Sequence, residues 1–193
     1  MRFADHFAKA VRVVTVPALT SGCAMTLLWL SDTVIYHSLR DYLMVMFGLT
    51  AIPLMSYLFT AGIPKLREQG RETQRKYAMY FSAAGYLVAF GYALVARTTG
   101  PYRVITGTYV ISIVLLLVLN KGMHFKASGH ACSTAGPLVA MSYFLGGWYI
   151  VAGAAVCALV IWASMEQKQH RFWELMTGSA VSGLSFLCLA LLI

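Results

Sequence analysis

Residues 77–96 read YAMYFSAAGYLVAFGYALVA, twenty consecutive positions without a charged side chain. A helix of that length is about 30 Å long, the thickness of a bilayer's hydrocarbon core. The same signal recurs on both sides of it, over residues 13–30, 42–63, 104–119, 131–145, 148–165 and 172–193. The pattern predicts an all-α, polytopic membrane helix bundle with six to seven transmembrane helices. The run 13–30 is interrupted by Pro17 and Gly22, so it reads as a span or as a tilted or re-entrant segment. Ahead of it, residues 1–12 set Arg2, Lys9 and Arg12 against Phe3, Phe7 and Val11, the pattern of a short amphipathic helix at the interface.

The composition agrees. Of 193 residues, 59% are hydrophobic and 11% are charged, against about 25% charged in a soluble domain. So few charges cannot clothe a soluble surface of this size, but they suit a bundle with a lipid-facing exterior. Seven spans and short loops use the whole chain, so residues 1–193 read as a single membrane domain, in which 1–63 hold the amphipathic segment and two spans. The first long apolar run ends at Leu28, Trp29 and Leu30 without a small-residue cleavage site, so no cleavable signal peptide is expected. Cys23, Cys132, Cys157 and Cys188 fall in or beside apolar runs without metal-ligand spacing. They read as small apolar fillers, and no metal or cofactor is expected.

The net charge is +8. Its basic residues occupy short loops between apolar runs, which points to membrane orientation and anionic lipid headgroups as partners and not to nucleic acid. Arg2, Lys9, Arg12, the loop residues Lys65, Arg67, Arg71, Arg75 and Lys76, and Lys121, Lys126, Lys168 and Arg171 share one side. Arg40, Arg97 and Arg103 take the other, a division of 12 against 3. The positive-inside rule places the first group in the cytoplasm. The expected location is a bacterial or archaeal inner or plasma membrane, crossed several times.

Two polar interruptions, 120–130 and 166–171, are separated by two spans. Two crossings return the chain to the same face, so the side chains of both segments meet at one end of the bundle. Three of the five histidines and Lys121, Lys126, Lys168 and Arg171 converge there. Each segment also leads into a helix N-terminus, where unpaired N–H groups and the helix dipole attract anions. Ser128 reads as an N-cap and a phosphate donor. His170 and Glu174 are four apart and share a helix face. A carboxylate on one imidazole nitrogen fixes the tautomer and sharpens the other nitrogen as a nucleophile. His130 is then placed to protonate a leaving oxygen, and Lys121, Lys126 and Lys168 to neutralise a transferring phosphoryl group.

Ala127, Ser128, Gly129 and His130 resemble the Pro-Ser-Gly-His motif of the type-2 phosphatidic acid phosphatase superfamily. His170 with Glu174 is similar to that family's His-x-x-x-Asp, and Gly178 fits its small-residue helix start. The resemblance covers roughly the last 120 residues, so 77–193 is the phosphatase-like core and the first span is an addition. It implies a metal-independent phosphohistidine mechanism: His170 as nucleophile, Glu174 orienting it, His130 as general acid, and Lys126, Ser128 and Gly129 holding the phosphate. The chain departs from the pattern at three places. Ala127 replaces the proline. The family's Ser-Arg pair falls on Ala163 and Ser164, which leaves Lys168 or Arg171 to supply that charge. The family's first motif has no match, and Lys121 and Lys126 are the residues left to cover it.

Each of these residues also has an ordinary reading. Ser128 caps a helix, His170 and Glu174 form a helix-start pair, and the lysines snorkel. His6, His37 and His124 read as surface residues, and Tyr42, Tyr77, Tyr102 and Trp148 as an interfacial belt. The joint occurrence of both motifs favours a lipid phosphatase acting on a lipid phosphate or diphosphate at the cytoplasmic face. Polyprenyl diphosphates, phosphatidate and phosphatidylglycerophosphate are the candidate substrates. The alternatives are a non-catalytic lipid-phosphate binder with a decayed site, or a headgroup phosphotransferase.

Overall fold

The computed structural model describes residues 3–31 and 33–193; Met1 and Arg2, part of the amphipathic segment read from the sequence, lie outside that set. Ten α-helices account for most of these residues: α1 Phe3–Val14, α2 Pro17–Leu30, α3 Leu39–Met46, α4 Ile52–Gly62, α5 Pro64–Glu68, α6 Gly70–Val95, α7 Gly100–Leu117, α8 Gly129–Leu145, α9 Trp148–Glu166 and α10 Phe172–Leu192. Two π-helical turns, Phe47–Ala51 and Val118–Gly122, join α3 to α4 and extend α7. No strand forms among the described residues.

Local chemistry sets the boundaries. Pro17 and Pro64 occupy the first helical positions of α2 and α5, where a missing N–H costs nothing. Thr99 caps α7 by accepting from the N–H of Tyr102 at 3.1 Å, and Ser128 caps α8 by accepting from Ala131 at 3.3 Å. Gly146 and Gly147, at φ +62° and +50°, make the turn between α8 and α9 in a backbone region that favours glycine.

Five helical segments are long and apolar enough to cross a membrane: Leu39–Gly62, Glu72–Val95, Gly100–Gly122, Trp148–Glu166 and Phe172–Leu192. The pair α1 and α2, bent by 57° at their junction, raises the number to six if it counts as one span. Five to six spans fit the lower end of the expected range. The difference lies in two runs. The first is the broken pair, where Pro17 divides the apolar stretch. The second is 131–145, which lies in α8. With 17 residues α8 is about 25 Å long, at the short end of the range for a crossing.

α8 is instead the centre of the bundle, packed on α10, α9 and α2. α7 lies against α10 and α6, and α6 against α4. The inward faces carry small and hydroxylated residues, among them Ser21, Thr106, Ser112, Thr134, Ser164 and Ser182, all buried. Large apolar side chains such as Leu58, Val95, Trp148 and Leu191 point outward. That inverted distribution suits helices surrounded by lipid tails, which solvate leucine but not a hydroxyl. Thr108 donates one turn back to Val104 C=O at 2.7 Å, and Ser185 to Val181 C=O at 2.7 Å.

The belt expectation is corrected at one residue. Tyr102 is 1% exposed, enclosed by the rings of Tyr36 and Tyr92. It sits two residues into α7, and the chain before α3 folds over it. Trp148 is exposed as expected.

The helix α1 lies along the end of α9. Ala8 and Val11 bury against Ala163, and the ring of Phe7 meets that of Trp162. Gln167 donates its amide to the carboxylate and carbonyl of Asp5.

Candidate active site

The two polar segments do meet. The loop before α8 is tied down at three points. Asn120 Nδ2, in the π-turn closing α7, donates to Leu116 C=O at 2.8 Å and to Ala127 C=O at 3.2 Å. Ser128 N–H donates to Glu174 C=O at 2.9 Å. Gly178 lets the backbones close: a Cβ there would lie 2.3 Å from the Ser128 carbonyl oxygen. The first turn of α8 is thereby held against the first turns of α10.

His170 stands in the turn between α9 and α10, one residue before the N-cap of α10. Its Nδ1 is 2.7 Å from Glu174 Oε2, and Arg171 N–H donates to the same oxygen at 3.3 Å. An ionised carboxylate accepts hydrogen bonds only, so Nδ1 carries the proton and Nε2 keeps its lone pair. Burial lowers the His170 pKa below the usual imidazole range. The bond to Glu174 opposes that shift, and the charges of Lys126 and Arg75 add to it.

His130 occupies the first turn of α8, and its Nε2 is buried without a hydrogen-bond partner. Burial brings its pKa down to about 4, with Arg12, His170 and Arg75 contributing through their charges.

Both imidazoles border one cavity of about 450 Å³. Its rim carries Arg12, Arg75, Asn120, Lys121 and Lys126, and Gly129 forms part of the wall. Its sides are apolar, with Pro53 and Tyr57 of α4, Met79 of α6 and Ile113, Leu116 and Leu117 of α7. Its floor is hydroxylated by Ser82, Tyr86, Tyr109, Ser112, Ser133 and Ser182. The α6 wall runs from Arg75 to Tyr86, roughly 16 Å of helix, so the cavity reaches well below the rim. Among the described residues, no carboxylate lines it.

Of the residues singled out in the sequence, His130, His170, Lys121, Lys126 and Gly129 border this cavity. Glu174 sits behind His170 and reaches the cavity through it. Ser128 is fully buried and forms no part of the cavity wall, and its hydroxyl caps α8. Lys168 and Arg171 are exposed and outside the cavity. Lys168 takes the left-handed conformation, φ +50°, in the turn after α9. The sequence reading missed Arg12, Arg75 and Asn120. The arginines come from α1 and α6, and both lie on the side of the membrane that the loop charges assign to the two polar segments.

No protein-family model, curated protein or solved structure matches the chain. Function is therefore argued from the cavity. Among the described residues, no three His, Cys, Asp or Glu side chains group so as to hold a metal ion.

The cavity is bordered by imidazoles from two elements, with fixed cations at the rim and an apolar body. Fixed cations at the rim suit a phosphate dianion. The apolar sides suit a hydrocarbon chain.

Proposed function

We propose that this chain is a membrane-embedded phosphohydrolase that removes phosphate from a lipid phosphate or diphosphate through a phosphohistidine intermediate. The observation that carries the reading is the shared cavity, in which His130 and a Glu174-bonded His170 border one cation-rimmed hollow with apolar sides.

The lipid tail occupies the apolar body and the phosphate lies at the rim. Lys126, Lys121, Arg12 and Arg75 surround the phosphoryl oxygens and neutralise their charge. Arg12 and Arg75 supply, as planar guanidinium groups, the phosphate-binding charge expected of Lys168 or Arg171. His170 Nε2 attacks phosphorus, and the bond from phosphorus to the leaving oxygen breaks. His130 gives its proton to that oxygen. Water then attacks the phosphohistidine, His130 takes a proton from it, and inorganic phosphate leaves with His170 restored. Glu174 stabilises the charge that forms on His170.

Without ligand, His130 is neutral at pH 7, because its pKa is about 4. An arriving dianion raises that pKa, so the substrate brings the general acid into its protonated form. This coupling matches proton supply to occupancy of the cavity.

The test is phosphate release by the purified protein against a panel of lipid phosphates and diphosphates, beside His170→Ala and His130→Ala. The expected result is release by the wild type and its loss in both variants. Release that survives His170→Ala removes the nucleophile assignment, and no release from any lipid leaves a lipid-phosphate binder. The proposed side is cytoplasmic, on the strength of the loop charges. A single cysteine in the loop 64–76 of a variant lacking the native cysteines reads it in intact cells, where an impermeant thiol reagent is expected to leave it unlabelled.

A further inference from the structure

A second hollow, of about 380 Å³, lies beside the cavity, and Arg12 and Arg75 belong to the walls of both. Lys9 of α1, Gln74 of α6, Gln167 and Gln169 from the turn between α9 and α10, and Tyr57 of α4 add to its polar lining, and Val13, Val16 and Ala78 complete the wall. Three parts of the chain distant in sequence are braced around it. Arg75 Nη2 donates to Gln169 Oε1 at 2.8 Å. Gln167 donates to the Asp5 carboxylate, which also pairs with Lys9 at 3.6 Å. Among the described residues, no carboxylate lines the hollow itself.

The donor set is specific in kind. Three cations attract an anion. Gln74 presents N–H donors and a carbonyl acceptor, Gln167 keeps its carbonyl and Gln169 its N–H groups, which together offer what hydroxyl groups require.

We propose that the outer hollow is a second binding subsite, for a phosphate ester that carries hydroxyl groups, the class of a polyol phosphate. The ester's phosphate sits between Lys9 and the two arginines, and its hydroxyls bond Gln74, Gln167 and Gln169. Because Arg12 and Arg75 serve both hollows, an anion in the outer one reduces the positive charge offered to a phosphate in the inner one. The subsite does not depend on catalysis by His170. Its occupant comes either from solution or from the headgroup of a phosphorylated lipid.

The experiment uses the full chain in phosphatidylcholine nanodiscs, titrated calorimetrically with glycerol 3-phosphate and, separately, with inorganic phosphate. The probe variant is Lys9→Gln with Gln74→Leu, two residues that border the outer hollow and not the inner one. Glycerol 3-phosphate is expected to bind the wild type and to weaken about tenfold in the variant, the worth of one charge-assisted hydrogen bond. Inorganic phosphate, which lacks the hydroxyls, is expected to weaken less. A second set of discs contains phosphatidylglycerophosphate. Loss of glycerol 3-phosphate binding there identifies the lipid headgroup as the occupant, while unchanged binding identifies the soluble ester. Either result supports the subsite. If the double variant melts lower than the wild type, Gln74→Leu alone takes its place. Equal affinity in wild type and a well-folded variant overturns the proposal, as does the absence of binding in both sets of discs. His170→Ala is expected to keep glycerol 3-phosphate binding, so failure of the hydrolase reading and failure of the subsite give different results.

Discussion

The backbone N–H of Ser128 donates to the backbone carbonyl of Glu174 at 2.9 Å, which ties the entry of α8 directly to the first turn of α10. The elements carrying His130 and His170 are thus fixed to each other by main chain, and not merely placed at one end of the bundle. The close approach depends on Gly178, whose hydrogen faces the Ser128 carbonyl.

Gly178→Ala is therefore expected to force the two helix starts apart. An added methyl 2.3 Å from a carbonyl oxygen cannot be absorbed by a side-chain rotation, and the cost is about 1–3 kcal/mol. A lower melting temperature and reduced phosphate release are expected together. Gly183→Ala is the control, since a Cβ there meets nothing within 4 Å.

Glu174→Gln tests the orientation of His170. The amide can still accept a hydrogen bond, but it carries no charge to stabilise the imidazolium and can hold the ring in the wrong tautomer. Phosphate release is expected to fall by about 10²–10⁴-fold, on the precedent of catalytic carboxylate–histidine pairs. Binding of a non-hydrolysable phosphonate should change little. Wild-type turnover in Glu174→Gln would remove Glu174 from the mechanism.

Arg12→Gln and Arg75→Gln are each expected to raise KM by roughly tenfold, the worth of a charge-assisted hydrogen bond to phosphate. Lys168→Gln and Arg171→Gln, which change residues outside the cavity, are expected to stay within about twofold of the wild type. Steady-state kinetics on one lipid substrate separates the two groups, and the reverse ranking would shift the phosphate away from this cavity.

Anion binding should depend on pH with a definite sign. Free His130 is neutral down to about pH 4, and a bound dianion raises its pKa. The complex then holds more protons than the free protein at intermediate pH. By linkage, affinity rises as pH falls from 7 toward the free pKa, until protonation of the anion itself intervenes. Competition by vanadate measured across that range reads the slope. His130→Gln is expected to flatten it, and an equal slope in that variant would assign the proton elsewhere.

Much of the architecture was legible in the order of residues. Charge-free runs near twenty residues admit few structures in a bilayer besides helices, because only helices satisfy their own backbone groups there. The parity of spans between residues 130 and 170 placed both imidazoles at one end, and Ser128 and Gly178 were readable as a cap and a close-packing position. The same parity assigned Arg12 and Arg75 to that side. Their presence at the cavity was not readable, because a loop charge that orients a helix and one that turns into a cavity have the same local sequence.

Helical periodicity and charge distribution by themselves determined the fold class, the common face of the two motifs and the pairing of His170 with Glu174, since each follows from spacing along one chain direction. The tertiary structure decided which cations surround the cavity, why Ser128 is a cap outside the cavity wall, and how α8 becomes the centre of the bundle. Those outcomes depend on how α2, α7, α9 and α10 pack around α8 and how α1 and α6 close on them, and lateral packing between helices leaves no period in a single sequence.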